Sequence, residues 1–136
     1  MRGAVLALVV GTAPVAALAA DERLLESADL YFQCAAFYKG ALDADALPKG
    51  RRRAEILKSI DTATEVATGL GITAREGPRR MTLDELETTK RRVAVKADYF
   101  ASEFRKDGRS ARQWIAETFA LCDARMKNIG ERRPQG

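Results

Sequence analysis

The sequence predicts an all-α fold, an antiparallel four-helix bundle stapled by one disulfide between its first and last helices. Three observations carry that expectation. Apolar residues recur at three- and four-residue spacing in four separate stretches. Short segments rich in Gly, Pro and Asp divide the stretches, and no run alternates apolar and polar long enough for a strand. Two cysteines, Cys34 and Cys122, fall in the stripes of the first and last stretches, which are neighbours in an up-down-up-down bundle.

Ahead of the first stretch, Met1-Arg2 is a short basic start. Gly3 to Gly11 is an apolar run, Pro14 breaks it, and Ala16 to Ala20 is a small-residue tail. These are the three regions of a secretory signal peptide. Ala17-Leu-Ala19 fits the small-residue cleavage rule, so residues 1–19 are expected to be removed. The apolar run is far short of the roughly 20 residues of a spanning helix, so the mature chain is not expected to cross a membrane. Residues 20–130 then form a single helical domain, with 131–136 as a disordered tail.

The first helix is expected from about Asp21 to Lys39. Leu24, Ala28, Tyr31, Ala35 and Tyr38 form one apolar row, and Leu30, Cys34 and Phe37 form a second beside it, so more than one side should be buried. Gly40 is the expected terminator. Residues 41–50 read as a connection. The second helix is expected over about Arg51 to Leu70, with Ile56, Ile60, Ala63, Ala67 and Leu70 on one face and Gly69 and Gly71 ending it. Its small core residues predict close packing.

Thr82-Leu-Asp-Glu85 is a capping box, in which the threonine hydroxyl and the glutamate carboxylate satisfy each other's orphan backbone donors. It opens a third helix with Leu86, Val93, Ala97, Phe100 and Phe104 as its stripe, stopping at Gly108. Lys90-Arg-Arg92 lies mid-helix and must face water at least in part. Ser110-Ala-Arg-Gln113 is a second capping box. It opens a fourth helix on Ile115, Phe119, Cys122, Met126 and Ile129, flanked by Trp114 and closed by Gly130.

The chemistry is bounded by an absence. The chain holds no histidine. That excludes the usual general base, the commonest metal ligand and histidine-paired nucleophiles. The cysteines could form a disulfide, stay as buried thiols, or act as a redox pair. Distant partners in apolar surroundings and an oxidising compartment favour the disulfide. The aromatics are read as core, with Tyr31, Tyr38 and Tyr99 expected to put polar tips at the surface. Asp43/Asp45 and Asp84/Glu85/Glu87 have no second cluster to face, so no enzyme, metal or cofactor is expected.

Charge offers one functional surface. The net charge is +4, too low for a nucleic-acid binder. In an antiparallel bundle, however, one pole collects Lys39, Lys49, Arg51, Arg52, Arg53, Arg105, Lys106, Arg109 and Arg112, with Asp43, Asp45, Glu55, Glu103 and Asp107 opposing them. Arg51 to Arg53 sit at a helix start, where cations are disfavoured by a few tenths of a kcal/mol each.

Two functions are therefore weighed. One is an exported interaction module, such as an adaptor, inhibitor or immunity-type protein, facing another envelope or secreted protein. The other is a binder of anionic lipid headgroups or polyanionic glycans through Lys49, Arg51, Arg52, Arg53, Arg105, Lys106, Arg109 and Arg112.

Overall fold

The computed structural model describes the backbone of residues 2–106 and 109–132, and side chains at 21–106 and 112–129. The side chains of the expected signal peptide, of Arg109 and of the Ser110 cap lie outside the described residues, as do Asp107, Gly108 and the tail from 133. Four helices follow in order: α1 (Arg2–Asp43), α2 (Arg53–Glu76), α3 (Leu83–Phe104) and α4 (Arg109–Arg132). They form an antiparallel four-helix bundle in which α1 packs against each of the other three. Among the described residues no helix is long and apolar enough to cross a membrane.

Gly40 does not end α1. The helix runs one turn further and closes where Asp45 takes a left-handed conformation, φ 54°. The Ala46 N–H donates to the Ala41 carbonyl at 2.8 Å and the Asp45 N–H to the Leu42 carbonyl at 3.2 Å. That pair of bonds is a Schellman closure with aspartate where glycine is usual. Gly40 is instead the contact point between α1 and α3. A Cβ there would lie 2.7 Å from the Phe100 Cβ, 2.9 Å from the Ala97 carbonyl oxygen and 3.0 Å from the Ala101 nitrogen. Gly40 thus faces Ala97 and Ala101, small residues four apart on α3, all three buried.

Helix α2 passes through both Gly69 and Gly71 and ends at Gly77, φ 81°. A helical glycine costs about 1 kcal/mol relative to alanine. Burial of Ile72 and Ala74 in the following turn offsets that cost. Thr64 and Thr68 are buried on the same helix because their hydroxyls donate to the Ile60 and Thr64 carbonyls, 2.6 and 2.8 Å away.

The α3 capping box forms as expected: the Glu85 N–H donates to the Thr82 Oγ1 at 3.2 Å and the Thr82 N–H to Glu85 Oε1 at 2.9 Å. Arg79 closes over it, bonding Glu76 and Glu85. That guanidinium, then the cap N–H, pulls the Glu85 carboxyl down to about 2.

Helix α4 meets the bundle differently. Cys34 and Cys122 are joined by a disulfide with Cα atoms 5.5 Å apart, closing a separation of 88 residues. Phe37 lies at the centre of an aromatic cluster, edge-on to Phe100, Phe104, Trp114 and Phe119 with ring centroids 4.9–5.8 Å away. The two apolar rows of α1 are buried except at Leu24, which is half-buried, and Leu30, which is 42% exposed and faces water. Leu30 lies on the same face of α1 as Cys34 and Phe37, about one turn before the disulfide and two before the aromatic cluster.

Candidate interaction surface

The basic pole is partly consumed by internal pairing. Arg51 lies just before α2, its N–H bonded to the Pro48 carbonyl, and its guanidinium reaches across to α4. It grips Asp123 at both carboxylate oxygens, 2.6 and 3.1 Å, while lying over the Phe119 ring at 5.5 Å. Tyr38 donates its hydroxyl to the same carboxylate at 2.7 Å. The Tyr38 tip therefore points inward rather than to the surface, and Tyr31 is buried as well; Tyr99 is exposed as expected.

The electrostatics follow from this arrangement. Burial and then the bond to Asp123 push the Tyr38 phenol far above its usual range. Burial also pushes Asp123 up, but the hydrogen bonds from Arg51 and Tyr38 outweigh it and hold the carboxyl below its ordinary value. The same pairing raises Arg51.

Arg51 is thus committed to the fold, and among the described residues its ion pair is with Asp123 on α4 rather than with Asp43, Asp45, Glu55 or Glu103 of the pole. Lys39 pairs with Asp43 at 3.4 Å, and Lys106 with Glu103 at 2.8 Å. Lys49, Arg52, Arg53, Arg105 and Arg112 are exposed and enter no ion pair among the described residues. Arg52 is the residue preceding α2 and offers its first turn no side-chain cap.

A second surface lies toward the opposite pole, on the outer side of α3. There a cleft of about 420 Å³ opens between α1, the end of α2 and the start of α3, floored by Leu25, Ala28, Phe32 and Ile72. It shares Phe32 and Arg92 with a shallow groove of about 560 Å³ lined by Arg91, Val95, Lys96 and Tyr99. The two run together as one trough. Val95 is 73% and Tyr99 54% exposed. Arg92 lies over the Phe32 ring at 5.0 Å and Lys96 over Tyr99 at 4.8 Å, so these cations use their stems and charge to flank aromatic faces.

Sequence reasoning placed Arg91 and Arg92 in water and Asp84 in a cap, and it missed that they share one trough. It also missed Asp123, although a carboxylate beside a core cysteine is a usable signal. Once Cys34 and Cys122 are paired, Asp123 must lie near the turn of α1 that holds Tyr38. Among the described residues no group of three or more Cys, Asp and Glu is placed to hold a metal ion.

Comparison with family models, with curated proteins and with solved structures finds no match to this chain.

Proposed function

We propose that this protein is an exported, non-catalytic interaction module that presents a rigid helical surface to another envelope or secreted protein, as an adaptor, inhibitor or immunity-type protein does. The observation that carries this reading is the α3 trough, where Val95 and Tyr99 stand in water on a helix whose opposite face is locked against Gly40. Exposed apolar side chains grouped with aromatics and arginine are what a binding patch requires. The Cys34–Cys122 bond is compatible with residence in an oxidising compartment.

The test is affinity capture from envelope extract with the oxidised protein as bait. A stoichiometric partner retained through a salt wash supports the module. Absence of any stoichiometric partner, together with turnover of a small substrate, overturns it.

Binding of anionic lipid or glycan through the pole is the second reading, favoured by the exposed Lys49, Arg52, Arg53, Arg105 and Arg112, which enter no ion pair among the described residues. Because Arg51 holds Asp123, the clean probe is Arg52→Gln with Arg53→Gln, leaving Arg51 in place. A drop in heparin retention and in its salt slope supports this reading; unchanged retention removes it.

A further inference from the structure

The α3 trough carries both signs of charge, distributed unevenly along its length. Asp29, Asp84 and Glu85 outnumber Arg75 in the cleft nearest the α3 N-terminus, Arg91 and Lys96 line the groove beyond it, and Arg92 stands where the two meet. Glu85 is held by Arg79, while Asp29, Asp84, Arg75, Arg91, Arg92 and Lys96 enter no ion pair among the described residues. Between them lie Leu25, Phe32, Val95 and Tyr99 as apolar anchors. Sixteen helical residues from Asp84 to Tyr99 span roughly 22 Å at about 1.5 Å per residue, the length of a four-turn helix.

We infer that the trough docks an amphipathic helix of a partner protein, acidic in its first half and basic in its second, lying antiparallel to α3. This deepens the interaction-module reading and rests on it. The order of charges selects the occupant. An anionic membrane surface would gain from Arg91, Arg92 and Lys96 but meet Asp29 and Asp84 at the far end. A helix with acids in its first half and bases in its second matches both ends. That is also the order its own dipole favours. Lying antiparallel, it places its acids on Arg91 and Lys96 and its bases on Asp29 and Asp84, while its apolar stripe covers Val95, Tyr99 and Phe32.

Two labelled synthetic peptides of identical composition test this. Both carry a leucine stripe at helical spacing; one has Glu in its first half and Lys in its second, and the other has the order reversed. Fluorescence anisotropy with the oxidised protein should show the first binding about tenfold more tightly, since several exposed pairs each contribute only severalfold or less. The combined variant Asp29→Lys, Arg91→Glu, Lys96→Glu should invert the preference. If its melting curve shows a folding defect, Arg91→Glu alone should reduce the preference measurably. Equal affinity for the two peptides, no binding of either, or a preference that survives the charge inversion would overturn the inference. Tighter binding to phosphatidylglycerol vesicles than to either peptide, lost in the same variant, would overturn it in favour of a lipid surface. Any of these failures leaves the module itself to stand or fall on the capture experiment, which does not depend on where the partner sits.

Discussion

Helices α3 and α4 both pack on α1, but by opposite means. The α1–α3 seam closes on small residues, with Gly40 against Ala97 and Ala101, so the backbones come close enough for a Cβ to meet a carbonyl. The α4 attachment is made of large rings around Phe37, one covalent bond, and the Tyr38–Asp123–Arg51 network. Small residues give close dispersion contact over a length of helix and tolerate no added volume. Rings hold helix axes apart, and the covalent and polar ties then do what close backbone contact does elsewhere. The seam should therefore respond to size, and α4 to redox state and charge.

The largest effect should come from removing the disulfide. In the chain-entropy account a loop of this length contributes about 4–5 kcal/mol, an upper figure. Cys34→Ala with Cys122→Ala should lower stability by up to that amount in a denaturant melt. Hydrogen exchange should rise first in α4, while amides along the α1–α3 seam keep their protection. Uniform loss of protection would erase the distinction between the two attachments.

Gly40→Ala tests the seam. An added methyl meets backbone atoms of α3 at 3.0 Å or less, and overpacking of that kind costs about 1–3 kcal/mol. Gly69→Ala is the control. Its new methyl meets the flexible Met81 Cε at 3.5 Å, so the helix propensity gain of about 1 kcal/mol should appear as stabilisation. Thermal melts of the two should move in opposite directions.

Asp123→Ala should cost about 1–2 kcal/mol, reduced from a buried-pair value because the carboxylate is 39% exposed. Its signature is in the pH dependence. Asp123 is depressed in the folded state, so its contribution is complete above the unfolded value of about 3.9 and is lost as pH falls through the lower folded value. The parent should lose stability on acidification more steeply than the variant. Glu85, held at about 2, supplies a slope that both retain. Tyr38 acts at the other limb: its raised folded value keeps its contribution intact up to about pH 10, to be lost above it. Equal acid slopes in parent and variant would show the network to be electrostatically idle.

The smallest effect belongs to α3 alone. Thr82→Ala removes the acceptor of the Glu85 N–H and half of the capping box. A loss of about 1 kcal/mol is expected in a chemical melt. Because the cap lies at the far end of α3 from Gly40, its effect should add to that of Gly40→Ala without coupling.

Helical periodicity and cap chemistry were legible in the sequence because they are local. The Thr82–Glu85 box, the stripes of α3 and α4 and the disulfide partners all follow from spacing within one helix or from a count of two cysteines. The glycines were not legible in that way. Gly40, Gly69 and Gly71 look like terminators by residue type, yet each sits inside a helix, and the left-handed turn that ends α1 falls to Asp45. What a glycine is for depends on what approaches it, and the approach of Ala97 and Phe100 to Gly40 exists only once two helices cross. The same holds for charge. Arg51 belonged by position to a solvated pole, but Asp123 and Tyr38, distant in sequence, claim it in space. The sequence by itself determined the helices and their buried faces, since local backbone preference and hydrophobic period set those. Tertiary structure decided which polar groups are structural and which remain for a partner, because a hydrogen bond or ion pair across helices is settled by register and distance.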